Sequence, residues 1–133
     1  MRFAMASSLV VADVPSDVAT TVQRLTSALS QRGITLFATI DHAAAAREVG
    51  LDLADEVVLI FGNPAGGTPL MQQDPRVGIE LPLRLLVWSG GGTTKVAYND
   101  PVQLADHYAL RSAASVLPRL RDLLAALLAE VAH

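Results

Sequence analysis

The sequence contains no cysteine, few aromatic residues and no excess of positive charge. With no Cys among its 133 residues, the chain has no disulfides, no thiolate nucleophiles and no cysteine-ligated zinc or iron–sulfur centres. The sequence has 10 Lys and Arg residues against 13 Asp and Glu residues, and this net negative charge argues against a basic surface for nucleic acid or anionic membranes. No apolar run reaches the roughly 18 residues of a membrane span. These absences predict a protein without nucleic-acid or membrane partners.

The chain does have enough apolar side chains for a hydrophobic core. Apolar residues make up 51% of the sequence, and no linker or repeat divides residues 1–133, which predicts a single domain. The first residues resemble a short signal peptide, with Arg2 before an apolar run. However, Ser7 and Ser8 interrupt that run and no cleavage pattern follows. We therefore interpret the start as a first β-strand ended by Pro15, and we expect a cytoplasmic protein.

Hydrophobic periodicity divides the chain into helices and strands. A continuous apolar run at 56–61 predicts a strand that is covered on both faces, and alternation on either side of Gly90-Gly91-Gly92 predicts a hairpin. The Gly62–Gly67 segment is predicted to be a loop, and Thr68 is expected to cap the short helix after it. The predicted helices are 17–32 with Ser16 as N-cap, 42–49 capped by Asp41, 69–74, 101–108 and 116–132; the predicted strands after the first are 34–40, 56–61, 83–89 and 94–98.

The last predicted helix is apolar around about half of its circumference, which is wider than the stripe of a helix on a protein surface. Such a helix either lies deep in the core of its own domain or covers a partner subunit. Its apolar residues are Leu117, Leu120, Leu123, Leu124, Leu127, Leu128 and Val131.

Several spaced motifs occur together in this chain. They are Thr39-Ile40-Asp41-His42 with the alanines after it, Phe61-Gly62-Asn63-Pro64, Gly67-Thr68-Pro69-Leu70-Met71, Leu81-Pro82-Leu83 and Tyr98-Asn99-Asp100-Pro101. From about Val14 to Leu110 this pattern resembles the uncharacterised domain-of-unknown-function family 302. The resemblance implies a two-layer α+β fold, with helices packed on a curved, mostly antiparallel sheet of about five strands. It also implies homodimers, and the family has no established activity to transfer.

The chain departs from the commoner family pattern at two positions. Many relatives look to have Cys just before the Asn-Pro and just after the Leu-Pro motif, where this chain has Gly62 and Leu83. Thiol chemistry in such relatives therefore has no counterpart here.

The first candidate site is Asp41-His42, at a predicted strand-to-helix junction. A carboxylate beside an imidazole can orient a general base or bind a metal; alternatively, Asp41 only caps a helix and His42 is a polar first-turn residue. Asp100, which can also cap the helix that begins at Pro101, is expected to face this pair across the sheet. The catalytic hypothesis is thus His42 acting as acid or base with Asp41 or Asp100. No close ligand spacing links these residues to His107, so we assign no metal, and the sequence names no cofactor.

The second candidate site is the glycine-rich segment between Gly62 and Pro69. Backbone N–H groups at the start of a helix suit an anion, and small residues let a ligand approach the backbone. The spacing matches neither a Walker A motif nor the dinucleotide fingerprint. The alternative is a tight structural turn that the Asn63 amide ties down. The predicted ligand-binding residues are Asn63, Gly66, Gly67 and Thr68, with Asn99 at the rim.

Three functions fit these features. We favour a homodimeric module that binds a small anionic metabolite. The first alternative is the His42 enzyme, and the second is a structural protein that self-associates through its Leu-rich tail. A common site requires Asp41, His42, Asn63, Asn99 and Asp100 to converge on one pocket.

Overall fold

The computed structural model describes residues 8–132, which form a five-stranded sheet with helices packed on it. All strand pairs are antiparallel, which confirms the expected α+β fold. Residues 1–7 of the predicted first strand lie outside the described part. The strands are β1 Leu9–Val14, β2 Thr35–Asp41, β3 Glu56–Gly62, β4 Leu83–Gly90 and β5 Thr93–Asn99; the α-helices are α1 Val18–Gln31, α2 His42–Glu48, α3 Pro64–Gln73 and α4 Leu117–Val131; 3-10 segments span Pro75–Glu80, Pro101–Asp106 and Arg111–Val116.

The strand order in the sheet is β1-β5-β4-β3-β2. The predicted hairpin is confirmed, because β4 and β5 pair directly and Gly91 and Gly92, between them, have the positive φ angles that glycine adopts freely. By contrast, β1 lies beside the last strand, with Leu9 opposite Asn99. The two edges of the sheet are therefore β1 and β2.

One face of the sheet, the helix-covered face, carries the main core beneath α1 and α4. Leu25 and Leu29 of α1 are fully buried there, together with Leu59 and Phe61 of β3. Helix α1 begins after Asp17, whose Oδ1 accepts the Thr20 N–H at 2.8 Å, so the predicted cap at Ser16 is wrong by one residue. Helix α4 buries Leu117, Leu124, Leu127 and Val131 in the core of its own domain, which leaves these side chains no role in covering a partner.

The opposite face, the open face, carries the alternate residues of each strand. In β3 the residues Val57, Leu59 and Phe61 are buried, whereas Val58 and Ile60 between them are only half-buried. No residue of the open face belongs to the main core or to the second apolar cluster described next. The prediction that β3 is covered on both faces is therefore wrong.

A second apolar cluster joins α3 and the 3-10 segments to the start of α4. Its buried members are Leu70, Val77, Leu104, Leu110 and Leu117.

The carboxylate of Asp74 holds this cluster together. It accepts hydrogen bonds from Arg76 Nε at 2.9 Å, Arg76 Nη2 at 2.7 Å and the Ala109 backbone N–H at 3.0 Å. The guanidinium of Arg76 and the N–H of Ala109 hold the pKa of Asp74 well below its ordinary value. Nearby, the Tyr108 hydroxyl donates to Glu80 Oε2 at 2.7 Å.

The Gly62–Gly67 segment is not the predicted loop. Helix α3 begins at Pro64, and Asn63 rather than Thr68 is its N-cap, so both Gly66 and Gly67 lie inside the helix. Proline suits a first helical position because its missing N–H has no partner there. Burial of Leu70 in the second cluster supplies the stabilisation that glycine-rich composition lacks.

Candidate functional site

The pairing of β2 with β3 places the candidate residues at opposite ends of the sheet. Asp41 lies opposite Val57 at one end, whereas Gly62 lies opposite Thr35 at the other. Asn63 directly follows Gly62, and Asn99 ends β5 opposite Leu9, at the same end as Asn63. The expected convergence of Asp41 and His42 with Asn63, Asn99 and Asp100 therefore does not occur.

Asp41 and His42 form the capped start of a short helix. Asp41 Oδ1 accepts the Ala44 N–H at 2.8 Å, as expected of an N-cap. His42 is exposed, and in the described part of the chain it has no hydrogen bond to a carboxylate. No observation here favours acid–base catalysis by His42, since Asp100 lies at the far end of the sheet.

Asp100 forms an ion pair and caps the following 3-10 segment. Arg121 donates to it from Nε at 3.1 Å and from Nη2 at 2.6 Å, and the Val102 N–H donates to Oδ1 at 3.1 Å. The Arg121 hydrogen bonds lower the pKa of Asp100, while partial burial opposes this shift. Its neighbour Asn99 is exposed and lines a small recess of about 50 Å³ beside Glu80. Asp100 thus has a structural role in joining the end of β5 to α4.

A larger pocket of about 240 Å³ opens at the Asn63 end of the sheet. Three of the predicted ligand-binding residues, Asn63, Gly67 and Thr68, line it. The fourth, Gly66, is not among the lining residues, and a Cβ built on it would be in ordinary contact with Leu120 Cδ2 at 3.7 Å. The complete lining is Phe37, Gly62, Asn63, Pro64, Gly67, Thr68, Met71, Gly78, Leu81, Pro82, Leu83 and Leu120.

The pocket is almost entirely apolar. Among residues 8–132, Asn63 and Thr68 are the only lining residues with polar side chains, and no charged side chain of this range lines the pocket. Asn63 uses its Oδ1 to accept the Ala65 N–H at 3.0 Å. Within residues 8–132 the Asn63 amide nitrogen and the Thr68 hydroxyl make no hydrogen bond. These two groups are the available polar contacts for a ligand.

The first backbone N–H groups of α3 are not free to bind an anion. Pro64 has no N–H, and the Ala65 N–H donates to the Asn63 side chain. The Gly66 and Gly67 N–H groups both donate to the Asn63 carbonyl, at 2.9 and 3.3 Å. The backbone donors on which the expected anion site depended are therefore engaged within the helix itself.

Glycines form part of the pocket wall where neighbouring groups approach closely. A Cβ on Gly67 would lie 3.3 Å from Leu81 Cδ1, and a Cβ on Gly78 would lie 3.4 Å from Met71 Sδ. Gly62 and Leu83, the two positions at which the chain departs from the commoner pattern, both line this pocket.

Sequence reasoning missed the apolar walls of the pocket. Phe37, Met71 and Leu120 carry no chemical signal, because an apolar side chain on a pocket wall has the same composition as one in a core. The Leu81-Pro82-Leu83 motif was the available signal, since it forms one side of the pocket.

Two general properties of the described residues bear on function. No group of three or more His, Cys, Asp or Glu side chains among residues 8–132 is arranged to hold a metal ion. Within the same range, no helix is both long and apolar enough to cross a membrane.

Comparisons with known proteins give matches to part of three curated proteins and a match of most of the chain to a solved structure. Over 105 residues the chain is 39% identical to "Fluoride-specific ion channel FluC 1" of Brucella suis, covering 78% of this chain and 41% of that protein. The FluC 1 protein of Brucella abortus and FluC 2 of Brucella melitensis match equally well, with 39% of each covered. The chain thus spans about 40% of the length of these relatives.

The solved structure is an uncharacterized conserved protein, DUF302, from Bacillus stearothermophilus. It superposes with a TM-score of 0.84 at 26% identity, over 93% of this chain and 98% of that one. The sequence profile described as "Domain of unknown function DUF302" matches residues 10–127. The chain therefore belongs to the DUF302 family.

Proposed function

We propose that this domain is a homodimeric module that binds a small, mostly apolar molecule in the pocket beside Asn63. The observation that carries the proposal is a pocket of about 240 Å³ whose lining side chains, among residues 8–132, are apolar apart from those of Asn63 and Thr68. Ligand sites in proteins are commonly apolar concavities in which a few polar groups set the orientation of the ligand.

The size of the pocket limits the ligand. An apolar cavity of about 150 Å³ is large enough for benzene, whereas drug-sized ligands occupy about 300–1,000 Å³. A pocket of about 240 Å³ suits a single substituted ring or a short acyl chain.

The polar groups of the pocket limit the charge of the ligand. Asn63 and Thr68 can hydrogen-bond one polar end of the molecule, and no charged side chain in the described part of the chain lines the pocket to neutralise an ionic group. Burying an unpaired charge costs far more than burying a hydrogen-bonded neutral group. The proposed ligand is therefore neutral, in place of the anion expected from the sequence.

Binding of the neutral single-ring probe 4-methylphenol, followed by isothermal titration calorimetry, tests the proposal. We expect saturable binding of one probe per chain. Gly67→Ala should weaken it roughly tenfold or more, because a methyl group added to an apolar pocket typically costs about 1–3 kcal/mol of binding.

Gly66→Ala is the matched control, since it adds the same methyl group to the same helix but outside the pocket lining. It should leave the affinity unchanged. Thermal melting of both variants confirms that they fold. Non-saturable binding, or equal affinities in the two variants, would contradict the proposal.

The curated relatives suggest a second candidate function. They are described as fluoride-specific ion channels, and the segment that matches this chain covers about 40% of them. Because residues 8–132 have no membrane-spanning helix, we infer that the rest of each relative supplies the channel. The matched segment would then be an attached domain, and this chain would act on a fluoride channel from outside the membrane.

Fluoride efflux from vesicles that contain the Brucella suis relative tests this second function. Adding this protein should change the efflux rate in a concentration-dependent way, because it would compete with the attached domain. An unchanged rate at saturating protein would exclude it.

A further inference from the structure

The side chains of the open face are arranged in rows across the sheet. Residues that pair between neighbouring strands point to the same face, so the strand register defines each row. The middle row crosses all five strands and is entirely apolar, consisting of Val11, Ala97, Leu86, Val58 and Ile40.

The middle row is incompletely covered within the chain. Val11 and Ile40 at its two ends are 46% and 41% exposed, Leu86 and Val58 are half-buried, and the small Ala97 between larger neighbours is 3% exposed. None of its members belongs to either apolar cluster, and α1 and α4 pack on the opposite face. A contiguous apolar strip of this kind is typical of an interaction surface.

The rows on either side of the apolar row carry unpaired charges of opposite sign. On one side Trp88 pairs with Glu56 and with Lys95, and Lys95 forms an ion pair with Asp13. On the other side Arg84 pairs with Ile60, and Leu9 pairs with Asn99. Within residues 8–132, neither Glu56 nor Arg84 has an ion-pair partner.

We propose that the open face binds the open face of a second copy of this chain, related by a two-fold axis along the apolar row. Such an axis exchanges the two flanking rows, because they lie on opposite sides of it. Arg84 of one copy then lies over Trp88 of the other, beside Glu56. The two identical contacts pair both unpaired charges and place a guanidinium on an indole ring.

The size of the face is compatible with a stable dimer. Five strands about 4.8 Å apart, with six residues of about 3.3 Å each, give a flat area of roughly 24 by 20 Å. Two such faces bury about 1,000 Å² when each is treated as flat, and protruding side chains add to this area. The estimate reaches the lower limit for a specific interface. Sheets that pack face to face lie about 10 Å apart with strands within about 30° of each other, which keeps the apolar rows in contact.

This interface specifies the homodimer named under the proposed function and is independent of ligand binding in the pocket. It replaces the Leu-rich tail as the expected association surface, because Leu117, Leu124, Leu127 and Val131 of α4 are buried within the chain itself.

Charge exchange tests the interface by sedimentation velocity. The full chain should sediment as a dimer. Glu56→Arg and Arg84→Glu should each weaken dimerisation at least tenfold, because each puts like charges together. The double variant Glu56→Arg/Arg84→Glu should restore the wild-type dissociation constant, since the opposite pair is re-formed with reversed sign.

Two further variants complete the test. Leu86→Glu should give a folded monomer, checked by circular dichroism and thermal melting. Arg119→Glu, an exposed charge reversal on α4, should leave the dimer unchanged. A dimer that no open-face variant weakens would overturn this interface but not the homodimer, and a double variant no better than the single ones would also overturn it. A wild-type monomer at micromolar concentration would overturn both.

Discussion

The two faces of the sheet consist of similar residues in different surroundings. In β3 the fully buried Leu59 is followed by Ile60, which is only half-buried. Leu59 packs beneath α1 and α4, whereas Ile60 lies on the open face outside both apolar clusters. The comparison shows that the apolar character of a strand does not reveal what covers each of its faces.

The largest expected difference between the faces is in the free energy of unfolding. Leu59→Ala should destabilise the domain by about 2–5 kcal/mol, because it leaves a cavity in a packed core. Ile60→Ala should cost at most about 1 kcal/mol in dilute solution, because Ile60 is only half-buried in the monomer. Urea denaturation at low protein concentration measures both. Equal losses would mean that the open face is covered within the monomer.

The stability that the helix-covered side contributes should also depend more strongly on pH than that of the open face. The folded-state pKa of Asp74 lies below its ordinary value of 3.8, owing to its hydrogen bonds from Arg76 and Ala109. Its stabilising contribution is therefore fully present above about pH 4 and is lost as the pH falls through the folded-state pKa. Asp74→Asn should lower stability at pH 7 and flatten the loss below pH 4, as measured by denaturation midpoints between pH 2 and 7.

Asp13→Asn is the matched control from the open face. Asp13 is an exposed carboxylate whose ion pair with Lys95 lies at the surface, and such pairs contribute about 0–1 kcal/mol. If the loss of stability below pH 4 changes as much in Asp13→Asn as in Asp74→Asn, the two sides do not differ in their pH dependence.

The smallest expected effect is a gain in stability on the helix-covered side. Gly66→Ala should stabilise the domain by about 0.5–1 kcal/mol, because glycine is costly inside a helix and the new Cβ would make ordinary contact with Leu120. Gly33→Ala should have the opposite sign, since Gly33 has a φ angle of +67°. Thermal melting of the two variants checks this. Destabilisation by Gly66→Ala would show that α3 has no room against α4.

Local signals explain what the sequence predicted correctly. The β4–β5 hairpin follows from alternation around three glycines, and the cap at Asp41 follows from an aspartate placed before a short Ala-rich helix. Each of these features is decided by residues that are close in the chain. The α+β architecture followed from the motif pattern of the family.

Features set by tertiary packing were not predictable in the same way. The glycines of the Gly62–Gly67 segment indicated a loop, but burial of Leu70 and the cap at Asn63 support a helix there. Trp88 is a large aromatic residue in an apolar strand, yet its register with Glu56 puts it on the open face. Nothing in the local pattern of a strand specifies which of its faces the helices cover.

The candidate site failed to assemble for a related reason. Asp41 ends β2 and Asn63 follows β3, and the antiparallel pairing of these strands places their ends on opposite sides of the domain. Strand direction depends on partners that are distant in the chain. The glycine-rich half of the predicted site coincides with the pocket, whereas the Asp41-His42 half does not.

The position of β1 at the edge beside β5 also affects synthesis on the ribosome. Of the strands described, β1 is synthesised first and β5 last. Because these two strands pair, Leu9 has no strand partner until Asn99 has been synthesised. Until then the nascent chain exposes both the unpaired edge of β1 and the apolar side chains that β5 will cover, and such surfaces favour aggregation. A chain that stops before β5 therefore cannot close the sheet.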